Sequence, residues 1–169
     1  MTDFVHLTNK TEYSLSEGAL PITRIAELCQ SFSMPAVGIS DNNNMFGALE
    51  FSEQIAKVGV QPILGCNIKI KTPKEYLHEN IEDNDLYFYL NIFSKNNEGY
   101  ENLLKCVSNA YTFNKGNAYV TVKDLIKFKD GLIILSGGNN SILTHSTGHM
   151  ITKQSQQFIS DFKKEFNDN

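Results

Sequence analysis

No CxxC pair occurs in this chain, and its three cysteines, Cys29, Cys66 and Cys106, are far apart. That spacing argues against a zinc knuckle and against a dithiol redox motif. Each thiol lies among apolar residues, and Cys29 and Cys106 fall in helical patterns. All three are therefore expected to be reduced core thiols of a cytoplasmic protein. No stretch approaches the roughly 18 apolar residues of a membrane span. The first residues carry Asp3 and no basic, apolar leader, which reads against a signal peptide. Positive charge is also scarce, with 15 Lys and Arg against 19 Asp and Glu and a net charge of −4. Surfaces built to neutralise phosphates are usually basic, so the composition does not describe a nucleic-acid-binding module. Neither a G-x-G-x-x-G nor a G-x-x-x-x-G-K-[ST] phosphate loop is present. Repeats and low-complexity tracts are missing too.

What remains is ordinary for a globular domain: 169 residues, 41% hydrophobic and 20% charged, enough for one sizeable core. Strand-like and helical segments alternate. "FVHLT" reads as a strand. "LPITRIAELCQSFS" reads as a helix with Ile22, Ile25, Ala26 and Cys29 on one face and Pro21 in its first turn. "PAVGIS" is a short apolar strand, and "MFGALEFSEQIAKVG" a helix stopped by Gly59. "QPILGCNIKI" and the aromatic "LYFYLNIFS" are strands on either side of a polar loop or insertion over residues 72–85. "NNEGYENLLKCVSNAYTF" is a helix, and "TVKDLIKF" a shorter one with Thr121 as its N-cap. "GLIILSGG" is a nearly continuous apolar strand, which suits a sheet covered on both faces. Near the end, Phe158, Ile159, Phe162 and Phe166 mark one face of a helix. This alternation predicts an α/β fold, a layer or barrel of mainly parallel strands with its chemistry at their carboxyl ends.

Those ends are rich in amides and poor in strong metal ligands. Asn42, Asn43, Asn44, Asn67, Asn96, Asn97, Asn139 and Asn140 dominate them, and Asp41 is their one carboxylate. Neutral amide oxygens do not hold zinc or manganese tightly. Asp41 itself reads as a turn residue in "SDNNN". His6 shares a strand face with Phe4 and Thr8 and reads as a hydrogen-bonded structural histidine. Lys10, at the strand end, repels a metal and suits a carboxylate or phosphate. His145 and His149 are four apart but lack the glutamate of H-E-x-x-H. His78 falls in the polar loop.

Five blocks in order, "FVHLTNKTEYSLSEGAL", "MPAVGISDNNNMFGALEF", "GVQPILGCNIKI", "SKNNEGYENLLKCVS" and "DGLIILSGG", resemble the N-terminal PHP (polymerase and histidinol phosphatase) domain of bacterial DNA polymerase III alpha subunits. The resemblance is close over residues 4 to about 138 and looser to the end. It implies a distorted (β/α)7, TIM-like barrel of which residues 1–169 are the N-terminal portion, the family domain continuing beyond Asn169. Metal-binding members carry HLHVHTEYS in the first block, and their two ligand histidines fall on Thr8 and Lys10; His6 matches the histidine before that pair. Of the TDHGNLFG block, the aspartate matches Asp41 and the histidine Asn42. The GCE glutamate matches Asn67, the histidine of the next strand Tyr89, and the LSGC cysteine Gly138. Only Asp41 keeps a ligand type, so the ancestral zinc or manganese site is expected to be lost, with Lys10 pairing with Asp41 in its place.

By the same resemblance, the parent chain is a DNA-directed DNA polymerase of DNA replication that uses Mg. This segment is then a scaffold without catalytic residues or a cofactor of its own. Its expected partners are the downstream polymerase domains and the epsilon proofreading subunit, with DNA met only through the parent chain and no membrane. The alternative is a metal-dependent phosphoesterase or 3′–5′ exonuclease of the PHP type. A free-standing PHP enzyme of small-molecule metabolism is disfavoured by the polymerase-type "NNEGYENLLK" block.

Overall fold

The structure is a computed structural model, and it describes residues 4–76, 87–113, 116–136 and 152–166. The chain divides into two compact units, Met1–Asn67 and Ile68–Asn169. The strands form an α/β arrangement with both parallel and antiparallel pairs.

In the first unit, α1 (Ile22–Ser31) buries Ile22, Ile25, Ala26 and Cys29, the four residues that the 3.6-residue period places on one face. Pro21 is its N-cap rather than a residue of its first turn. Strand β1 (Ala36–Asn42) runs parallel to the first part of β2 (Gln61–Lys71), with Asp41 opposite Cys66 and Asn42 opposite Asn67. Between them, α2 (Ala48–Lys57) packs on α1 and buries Phe51 and Ile55. Val37, Ile39 and Val60 complete this core. Helix α2 ends in a Schellman motif. Gly59, with φ +76°, donates its N–H to the Ala56 carbonyl at 3.0 Å, and the Val60 N–H reaches the Ile55 carbonyl at 3.3 Å.

The first segment differs from expectation. Phe4–Thr8 is not a regular strand, although its burial alternates as a strand's does. It runs beside β1 through a bridge between Asn9 and Ile39 and through bonds from Gly38 N to the His6 carbonyl (2.7 Å) and from Ser40 N to the Asn9 carbonyl (2.8 Å). The Asn9 side chain takes up further acceptors, its Nδ2 donating to the Gly38 carbonyl at 2.9 Å. A side chain thus supplies a bond that a regular ladder would draw from backbone.

The second unit is built on β3 (Tyr87–Ser94) and α3 (Asn97–Phe113). Asn96 caps α3 by accepting the Gly99 N–H at 2.8 Å. The last residues of β2 pair in parallel with β4 (Val120–Thr121), and α4 (Val122–Lys127) follows at once. Thr121 caps it as its sequence position predicts, Oγ1 accepting the Asp124 N–H at 3.1 Å. Strand β5 (Leu132–Leu135) is antiparallel to β3, against the expectation of parallel pairing, and Ile133 is 40% exposed rather than covered. A run of apolar residues reports burial, not the direction of its partner. Phe88, Leu90, Ile92, Leu103, Cys106 and Leu132 form the centre of this core. Burial drives the Cys106 thiol up to about 12.

Helix α5 (Thr152–Glu165) carries Phe158 against Tyr76 (4.7 Å) and Phe88 (5.8 Å), and its Phe162 stacks in turn on Phe166 (4.6 Å). The polar loop expected over 72–85 begins with Thr72, Pro73 and a 3-10 turn, Lys74–Tyr76; the rest lies outside the described residues.

Replacing Gly59 by Ala forces a side chain into the left-handed region and should lower stability by about 1–2 kcal/mol. The urea midpoint of the variant checks this, and an unchanged midpoint contradicts the cap.

Candidate functional site

The carboxyl end of β1 gathers the polar residues of the first unit. Asp41 is 1% exposed, within the strand rather than in a turn. Its carboxylate accepts three hydrogen bonds. Thr11 N donates to Oδ1 at 2.7 Å, Thr11 Oγ1 to Oδ2 at 2.7 Å, and Ser14 Oγ to Oδ1 at 2.5 Å. Ser14 Oγ also accepts the Asn42 N–H at 3.1 Å.

The four residues Thr11 to Ser14 act in different directions. Thr11 and Ser14 point to Asp41. Glu12 turns to α1, where its Oε2 accepts the Ile22 N–H at 3.1 Å and serves the end that Pro21 cannot cap. Tyr13 reaches α2, its hydroxyl donating to Glu50 at 3.1 Å; the Glu50 carboxylate raises the Tyr13 pKa. The loop is drawn tight by bonds from Ser14 N to the Thr11 carbonyl (2.9 Å) and from Gly18 N to the Ser14 carbonyl (2.8 Å). A Cβ on Gly18 would lie 1.6 Å from the Thr11 carbonyl oxygen, so only glycine fits there. Asn44 closes the facing loop, its Nδ2 donating to the Tyr13 carbonyl at 3.1 Å and the Asn42 carbonyl at 2.9 Å.

Lys10 does not pair with Asp41. Its ammonium bonds and ion-pairs with Glu17, which also takes a hydrogen bond from Asn42. These contacts, Lys10 first, hold the Glu17 carboxyl below the usual glutamate range. The pair is partly open to solvent, at 31% and 55% exposure, whereas Asp41 is buried. Thr8 is exposed, while Lys10, Asp41, Asn42 and Asn67 share the first unit. Asn67 adjoins this group, its carbonyl accepting the Asn43 N–H at 2.8 Å. Tyr89 lies half-buried on β3 of the second unit. Gly138, His78, His145, His149, Asn139 and Asn140 fall outside the described residues. The His6 side chain is exposed and edge-on to the Phe4 ring at 4.7 Å.

Thr11, Ser14 and Glu17 were not singled out by residue type. The legible signal was the hydroxyl spacing in "TEYS", which alone does not name an acceptor thirty residues away.

These residues do not fit a divalent metal. Asp41 has both oxygens engaged by protein donors. Asn42 Oδ1 is buried and lacks a donor, yet it is a neutral amide oxygen beside a network that already contains the Lys10 ammonium. Among the described residues, no three His, Cys, Asp or Glu side chains converge as metal ligands.

The first unit is thus an α/β arrangement with a polar cluster at the carboxyl end of its first regular strand, and residues 6–169 match the family model described as PHP domain. The chain belongs to the PHP domain family. It is 36% identical over 135 residues to the DNA polymerase III subunit alpha of Rickettsia felis, covering 79% of this chain and 10% of that protein. The corresponding protein of Haemophilus influenzae is 33% identical over 136 residues, with 80% and 11% covered. That of Aquifex aeolicus is 30% identical over 174 residues, with 98% and 15% covered. The chain thus spans about a tenth of the length of the first of these relatives. Among the described residues, no helix is long and apolar enough to cross a membrane.

Asp41→Ala strands three buried donors and should cost roughly 3 kcal/mol or more. Lys10→Met removes a solvent-screened pair and should cost about 0–1 kcal/mol. Denaturation of the two variants ranks them, and equal losses refute the assignment. Glu17, with its folded pKa lowered, adds stability above the ordinary glutamate pKa, and this is lost as pH falls through its folded value. In Lys10→Met, the NMR titration of Glu17 should move upward.

Proposed function

We propose that this chain is a non-catalytic portion of the PHP domain of a replicative DNA polymerase III alpha subunit. In this reading the parent chain is a cytoplasmic DNA-directed DNA polymerase of DNA replication, and its Mg-dependent chemistry belongs to regions outside this segment. The segment braces the downstream polymerase domains and docks the epsilon proofreading subunit. It has no catalytic residue and no cofactor of its own.

One observation carries the non-catalytic part. Asp41, the single matched position that keeps a ligand type, has both carboxylate oxygens engaged by Thr11 and Ser14. Hydrolysis by a PHP-type metal centre needs several anionic or imidazole ligands with open lone pairs. Thr8, Lys10, Asn42 and Asn67 supply a hydroxyl, an ammonium and two amides.

The test has three arms. Elemental analysis after dialysis against zinc or manganese should find well under one ion per chain, and a labelled single-stranded oligonucleotide should not be shortened from its 3′ end. Two tightly held ions, or metal-dependent hydrolysis, overturn the reading in favour of a phosphoesterase. Sedimentation with purified epsilon subunit should show a complex; its absence removes the docking role while leaving the metal result to stand.

A further inference from the structure

The second unit holds a groove of about 470 Å³ that the preceding reading does not use. Sites for small ligands run from about 300 to 1,000 Å³. The apolar floor comes from three elements: Tyr76 of the 3-10 turn, Val122 and Ile126 of α4, and Phe158 and Phe162 of α5. Phe158 is buried, while Tyr76, Ile126 and Phe162 are half-buried. The rings of Tyr76 and Phe158 are 4.7 Å apart and tilted by 36°, and those of Phe158 and Phe162 are 6.1 Å apart. Clustered rings with partly open faces accept another planar ring.

The rim is charged. Lys71, Lys74 and Lys123 line it, and none of them ion-pairs with a carboxylate among the described residues. Lys71 rests over the Tyr119 ring, 5.0 Å from its centroid, which leaves Lys74 and Lys123 as the two exposed ammoniums. Glu75, Asp161 and Glu165 are also present. Asp161 is already engaged by Gln157 Nε2 (2.8 Å), Tyr76 OH (3.3 Å) and Lys164 Nζ (3.5 Å). Its charge is thereby offset within the protein. Lys74 and Lys123 then share the rim with Glu75 and Glu165, and among the described residues neither ammonium is ion-paired to either carboxylate.

We infer that this groove binds a planar aromatic anion of the nucleoside monophosphate class, with its ring against Tyr76 and Phe162 and its phosphate toward Lys74 and Lys123. The inference rests on the groove alone and is independent of the metal and docking assignments. The ring supplies stacking and area burial. The phosphate supplies charge-assisted hydrogen bonds, which are stronger than neutral ones. Neither half should suffice alone.

Titration of the full 169-residue chain, followed by its amide NMR signals, tests this with AMP, adenosine and inorganic phosphate as probes. AMP should give saturable shifts centred on Tyr76, Lys123 and Phe162. Adenosine and phosphate should each bind at least about tenfold more weakly, as expected when a charge-assisted contact or a stacked ring is lost. Lys74→Glu combined with Lys123→Glu changes only exposed side chains and should weaken AMP by a similar factor, with the remaining spectrum unchanged. Phe162→Leu keeps the apolar surface and removes the ring, and it should weaken AMP and adenosine but not phosphate. No saturable shift at millimolar AMP overturns the inference. Shifts elsewhere, or shifts indifferent to the charge reversals, do so equally.

Discussion

A carboxylate with 1% exposure costs several kcal/mol to bury unless hydrogen bonds replace its hydration. Asp41 stands in that position at the end of β1, and its replacement for water is the loop from Thr11 to Ser14. The requirement runs in both directions. Among the described residues the carboxylate has no other donor, so the loop comes to the strand, and Glu12 and Tyr13 are carried with it to α1 and α2. One buried charge therefore fixes how three neighbouring elements of the first unit meet. Gly18 follows from the same closure, because a loop this tight brings its backbone onto the Thr11 carbonyl.

The same geometry bears on chemistry. A metal ligand needs lone pairs directed at an open volume. The Asp41 oxygens instead accept an amide and two hydroxyls from the Thr11–Ser14 loop. Nearby, Lys10 and Glu17 satisfy one another in partial contact with solvent. Cation and anion both belong to the protein there. The role of a buried aspartate thus depends on what its oxygens already accept.

Local rules made much of the fold legible. The buried face of α1, the Thr121 cap and the Gly59 stop each depend on residues within a few positions of one another. The misreadings share a different origin. "FVHLT" has the alternation of a strand, but whether backbone or an Asn9 side chain supplies its bonds depends on the neighbouring segment. "LIIL" has the hydrophobicity of a central strand, but antiparallel pairing with β3 and exposure of Ile133 are tertiary facts. The partner of Lys10 was misassigned for the same reason. Asp41 and Glu17 are both carboxylates within reach of a strand end, and only the course of the 11–18 loop, with Ser16 at φ 67°, turns Glu17 back onto Lys10. At the site, residue types were legible and their pairings were not.

Charge separation by depth reconciles the two behaviours of the polar cluster. The deep carboxylate is solvated by hydrogen-bond donors alone, which bring no opposite charge into the core and leave no cation to desolvate. The shallower carboxylate is neutralised by an ammonium, whose long stem keeps its head near water. Exchanging the two arrangements would be unfavourable. A Lys beside Asp41 would have to be stripped of water, and hydroxyls around Glu17 would compete with solvent for little gain. The distribution of Thr11, Ser14 and Lys10 between the two sites is therefore the one that solvation favours.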